Sequence, residues 1–119
     1  MSIFSSINTL QGYLKVITDR QQLIASNMAN IDTPGYHTRD VNFRAAMRQV
    51  MNEDDESNEV QMEPASVESV GLPERPDGNN VSVDQESLEL AQTQLQFQLG
   101  TQLVKSQLQT VLAAMKDGN

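Results

Sequence analysis

Apolar residues in the first thirty positions recur at alternating steps of four and three: Ile3, Ile7, Leu10, Leu14, Ile17, Gln21, Ile24, Met28 and Ile31. Eight of these nine are apolar, which is the seam of a coiled coil rather than a broad amphipathic face. The spacing predicts a helix over residues 3–31, about 43 Å long at the usual rise per residue. Gly12 and the β-branched residues lower its intrinsic propensity, so packing against a partner must supply its stability. Gln21 either sets the register, because a polar group in the seam penalises slipped pairings, or is simply tolerated there.

The helix should stop at Asp32-Thr33-Pro34-Gly35. Proline cannot continue it and biases Thr33 towards extended geometry, while Gly35 suits a tight turn. Phe43, Ala46, Met47, Val50 and Met51 then repeat at helical spacing, with Asn42 as the expected cap, so residues 32–51 read as a turn and one short helix. From 52 to 83 the period disappears. This stretch is acidic, holds three prolines and two glycines, and predicts a flexible segment.

A second long helix is expected over 84–116, and its apolar residues form two stripes. Leu88, Ala91, Leu95, Leu99 and Leu103 cluster on one side. Leu90, Phe97, Val104, Leu108, Val111 and Met115 lie almost opposite. A helix apolar on two faces must be covered on both. The expected fold is therefore all-α, an elongated hairpin of the two long helices within a single domain. Ile7, Leu10, Leu14 and Ile17 would meet Leu88, Leu95, Leu99 and Leu103 in its core. Phe97, Val104, Leu108, Val111 and Met115 would then face neighbouring subunits. The alternative is that the short helix folds back over that outer face, although it is too short to cover much of it.

Composition narrows the function classes. The chain has 119 residues, a net charge of −8, no Cys, no Trp and 4% aromatics. Residues 1–50 carry +2, residues 51–90 carry −11 and residues 91–119 carry +1. The acidity argues against a nucleic-acid partner, which needs a basic face. Absence of Cys excludes disulfides and thiolate sites. No apolar run approaches a membrane span, and the first residues show no charged n-region or continuous apolar h-region, so no cleavable signal peptide is expected.

Catalytic chemistry finds few candidates. His37 is the single histidine and has no second His or Cys to share a metal, so a surface or interface position is the better reading. The Glu53-Asp54-Asp55-Glu56 run lacks the alternating ligands and turn glycine of a calcium loop. No phosphate-cradling loop or nucleophile triad can be assembled, and no cofactor, metal or enzymatic activity is expected. Asn27, Asn30 and Thr33 are suited to helix termination and equally to contacts between stacked subunits. Tyr36 either covers the turn or anchors such a contact.

The stretch Ser26–Tyr36, SNMANIDTPGY, resembles the signature of bacterial flagellar axial proteins, the rod and hook family. It carries their Asn-x-Ala-Asn core (Asn27, Ala29, Asn30) followed by Thr33, Pro34, Gly35 and Tyr36. Arg39, Asp40 and Phe43, and the later run from Asp77 through Val81 to Gln98, are similar to the B-type proximal rod group. Two departures are Phe97, where that group often has Tyr, and Leu99-Gly100, which interrupts its usual sequence. The likeness spans about residues 3–45 and 77–116, leaving the middle unsupported. It implies end helices paired as a coiled coil and stacked helically around an export channel, with Asn27, Asn30, Thr33, Pro34, Gly35 and Tyr36 in subunit contacts. It further implies, as partners, other copies of the chain, the C-type proximal rod protein and other rod subunits. The adapter joining rod to membrane ring, through it the ring itself, and the flagellar type III export machinery complete that set. The implied location is the basal-body rod in the periplasmic space. From a different class, a soluble coiled-coil regulator or export chaperone would bind one helical partner and form a small discrete complex.

Overall fold

The structure, a computed structural model, describes residues 3–52 and 66–117. Three helices dominate: α1 (Ile3–Ala29), α2 (Phe43–Asn52) and α3 (Val83–Asp117). Two three-residue strands, β1 (Arg39–Val41) and β2 (Ser66–Glu68), pair antiparallel with Asp40 opposite Val67. The molecule is elongated, 69 × 34 × 18 Å, because α1 and α3 lie side by side as an antiparallel hairpin.

Local chemistry sets the helix ends. Asn42 caps α2, its Oδ1 accepting from the Ala45 amide at 3.2 Å, and Ser82 caps α3 through the Gln85 amide at 3.3 Å. The regular part of α1 ends at Ala29, two residues before the end of its heptad series. Residues 30–35 continue as turns, with the Asn30 amide shared between Ser26 O and Asn27 O. Gly35 follows with φ 74°, a conformation that favours glycine.

α2 packs on α1 rather than across α3. A side chain on Gly12 would strike Val50, so this glycine lets the two helices approach closely. At the other end of α2, Phe43 meets Tyr13 edge-on, with ring centroids 5.9 Å apart. The outer face of α3 is therefore left uncovered by the short helix.

The rotation of α3 is opposite to the one expected. Leu88, Leu95, Leu99 and Leu103, predicted as hairpin core, are 60%, 59%, 53% and 54% exposed. The side turned to α1 carries Glu86, Thr93 and Gly100, all buried, with half-buried Leu90 among them and half-buried Val104 and Val111 beyond. Two contacts fix this register. A Cβ on Gly100 would lie 2.6 Å from Leu14 Cδ2, and Glu86 meets Asn27. Small and polar positions on α3 thus oppose the large residues of α1, of which Val16, Ile17 and Ile24 are buried. Close approach at Gly100 gains more packing than the bulkier leucines would allow.

Residues 66–82, inside the segment expected to be flexible, adopt defined structure. The Arg39 guanidinium bonds both Ser66 O (3.0 Å) and Ser66 Oγ, holding β2 on β1, and the Ser69 amide donates to Thr38 O. Residues 53–65, including the Glu53–Glu56 run, lie outside the described residues.

Candidate functional site

The two motifs singled out in the sequence, Asn27–Tyr36 and Asp77–Val81, meet at one end of the hairpin. Asn27 is 1% exposed and uses every hydrogen-bonding position of its amide. Its Nδ2 donates to Arg39 O (2.8 Å) and Glu86 Oε2 (3.2 Å); its Oδ1 accepts from Tyr36 Oη (3.0 Å) and the Arg39 amide (3.1 Å). One side chain thereby ties α1, the turn, β1 and α3 together.

Asn79, fully buried, performs the same task from the other side. Its Nδ2 donates to Asn30 O (2.9 Å) and Thr33 O (2.8 Å), a second donor for carbonyls that already accept from the Thr33 and Tyr36 amides, and its Oδ1 accepts from the Val81 amide. Asn80 Oδ1 accepts from the Thr38 amide at 2.6 Å. The Gly35 amide donates to Asp77 O, and the Arg75 guanidinium reaches Ile31 O. Gly78, with φ 85°, lets this loop sit against Gly35: a Cβ there would be 3.4 Å from Gly35 Cα.

Subunit contacts predicted for this motif are corrected in part. Asn27 is enclosed by its own chain and presents no surface to a neighbour. Asn30 and Tyr36 are half-buried and bonded internally, Asn30 to Ser26 O and Thr33 Oγ1, Tyr36 to Asn27. Thr33, Pro34 and Gly35 form the exposed apex of the turn. On α3, Val104 and Val111, predicted to face neighbours, are half-buried on the side turned to α1. Phe97 borders that side, and Leu108 and Met115 remain exposed. Ile7, Leu10 and Leu14 are half-buried and Ile17 fully so along α1.

Charge at the joint is concentrated on Glu86, 2% exposed. Burial pushes its carboxyl above the ordinary value of 4.5; the Asn27 bond opposes this, nearby Glu89 and Asp40 reinforce it, and Arg20 again opposes it. Arg20 is held by Asp40 at 3.2 Å. His37 lies between Glu74 (3.1 Å) and Glu68 (3.4 Å) at the surface. Among the described residues, no group of three or more His, Asp or Glu is placed to hold a metal ion. No described helix is long and apolar enough to cross a membrane.

The joint links the ends of the two long helices, and α3 leaves Leu88, Leu95, Leu99 and Leu103 exposed, followed towards its end by Leu108, Leu112 and Met115. Sequence reasoning missed Asn79, Asn80, Thr93 and Glu86 as architectural residues. A signal for the last two was present, because Glu86, Thr93, Gly100 and Gln107 are spaced by seven, as are Leu90, Phe97, Val104 and Val111.

No family model matches the chain. It is 32% identical to the flagellar basal body rod protein FlgB of Salmonella typhimurium over 126 aligned positions, covering 92% of this chain and 91% of that protein. It is 34% identical to FlgB of Bacillus subtilis, covering 82% and 84%, and 29% identical to FlgB of Escherichia coli, covering 92% and 91%. With more than four-fifths of both chains aligned at 32% and 34% identity, the chain belongs to the FlgB family of flagellar basal body rod proteins.

Proposed function

We propose that the chain is a structural subunit of the proximal rod, assembling helically with copies of itself and with other rod subunits to pass torque outward from the membrane ring. The observation that supports this is the leucine row on α3. Four leucines stand more than half exposed along a slender hairpin whose own third helix lies elsewhere. A surface of this kind, on a chain related to rod proteins, calls for a neighbouring subunit. Head-to-tail contacts through such a row would generate an open helical array, as a shaft requires.

The C-type proximal rod protein is the neighbour this reading names first, with the adapter between rod and membrane ring at the base. Delivery would be by the flagellar type III export machinery to the periplasmic section of the basal body. The asparagine joint would hold the two long helices at a fixed angle while load passes through them.

The test is complementation of a motile bacterium lacking its own FlgB. The wild-type chain should restore swimming and appear in isolated basal bodies. Leu95→Glu with Leu99→Glu should still be exported but should not be incorporated. Full swimming with the double variant would refute the assembly role of this row.

A further inference from the structure

The exposed apolar residues of α3 are not spaced for a partner lying alongside. A straight seam along this face would run through positions 88, 92, 95, 99, 102 and 106, and Gln92, Gln102 and Ser106 interrupt it. The uninterrupted apolar row is instead Ala91, Leu95, Leu99 and Leu103, four residues apart at every step and exposed throughout. Side chains at four-residue spacing form a ridge inclined to the helix axis. Two such ridges interdigitate when their helices cross at about −50°, the commonest packing class between helices.

The matching ridge is available within the same chain type. Residues 90–104 contain no charged side chain, so the occupant must itself be neutral along the contact. Between Phe4, exposed in its first turn, and Ala25, the exposed face of α1 is polar, through Gln11, Lys15, Thr18, Asp19 and Gln22. On α2, exposed Phe43 and Met51 are flanked by Arg44 and Arg48. α1 also carries a neutral four-spaced exposed row, Thr18, Gln22 and Ser26, but it is polar; the α3 ridge, with three leucines, is both neutral and apolar, and a second copy presents it by symmetry. We propose that two copies of the free chain pair through Leu95 and Leu99 about a two-fold axis, with their α3 helices crossing steeply. This pairing rests on the reading of the row as an assembly face, and it closes that face, so a subunit must leave the dimer to enter the rod.

The natural absence of Cys allows a clean test with the purified full-length chain. Sedimentation should show a monomer–dimer equilibrium with no larger species. Leu99→Cys should give a disulfide-linked dimer under mild oxidation. A mixture of Leu88→Cys and Leu103→Cys copies should not cross-link, because steeply crossing helices diverge at the ends of the row. Leu95→Gln with Leu99→Gln should weaken dimerisation by roughly 100-fold or more while keeping the helical content. A strictly monomeric wild-type chain, an open-ended series of oligomers, or efficient cross-linking between Leu88→Cys and Leu103→Cys would each overturn the proposal. Swimming by the double Gln variant separates the two readings. A variant that cannot dimerise yet swims normally supports the dimer and refutes the rod role of the row. A monomeric wild type whose double variant cannot swim does the reverse.

Discussion

Replacing Asn27 by Ala removes the one side chain that touches α1, the turn, β1 and α3 together. Four hydrogen bonds disappear, at 2.8, 3.0, 3.1 and 3.2 Å. Tyr36 is half-buried and has Ser26 Oγ nearby, so its hydroxyl can turn elsewhere. The Arg39 amide and carbonyl and the Glu86 carboxylate are left without the partner that satisfied them. At about 1–3 kcal/mol for each of these three groups, and roughly 0.5 kcal/mol regained from the better helix propensity of Ala, the net cost is about 3–8 kcal/mol. That is a large fraction of the roughly 5–15 kcal/mol usual for a folded domain. Urea unfolding followed by circular dichroism, in trimethylamine N-oxide to keep the folded baseline in range, should show the loss. Asn30→Ala is the control, since its bonds to Ser26 O and Thr33 Oγ1 are exposed, and it should cost about 1 kcal/mol or less. Equal effects from the two substitutions would refute the claim that Asn27 is the keystone of the joint.

Other substitutions probe separate links. Gly100→Val should destabilise the hairpin by about 2 kcal/mol in the same assay, because its Cβ begins 2.6 Å from Leu14 Cδ2; Gly100→Ala, with only a flexible leucine tip to displace and better helix propensity, should be near neutral. Gly35→Ala should cost about 1 kcal/mol from its φ of 74° alone, as an added Cβ would meet nothing within 4 Å, and Gly35→Asn should cost less. Glu86 binds its proton more tightly in the folded chain than in the unfolded one, so its contribution is fullest below the ordinary value of 4.5 and declines as pH rises through the raised folded value. Glu86→Gln should therefore flatten the fall in unfolding midpoint with rising pH over that window, and an unchanged slope would remove Glu86 as its source.

Much of the fold was legible in the sequence because its signals are local. The heptads of α1, the Thr33-Pro34-Gly35 stop and the Asn42 cap depend on neighbours a few residues away. The rotation of α3 was not legible from hydrophobicity, since both its faces are apolar and the leucine row is the greasier one. The rotation is decided by long-range fit: Gly100 admits Leu14, and Glu86 reaches Asn27 across 59 positions of chain. Gly100 lowers helix propensity in mid-helix, yet it is where Leu14 of α1 packs against the backbone of α3. The Asp77–Val81 stretch looked like the end of a linker for a similar reason. Besides local bonds within the loop, its asparagines are held by the Asn30 and Thr33 carbonyls and the Thr38 amide, more than forty positions away in sequence. Asn27 and Asn30 were equally suited to helix termination and to subunit contact, and burial separates them, Asn27 inside and the Thr33–Gly35 apex outside.

The account depends on α3 carrying more apolar surface than its own chain covers. Hydrogen exchange of the α3 amides, compared between dilute monomer and isolated basal bodies, tests this most directly. The expected result is fast exchange beyond Gly100 and incomplete helicity in the monomer, with strong protection along the whole helix in the assembled rod. Full, cooperative protection of α3 in the dilute monomer, unchanged on assembly, would contradict it.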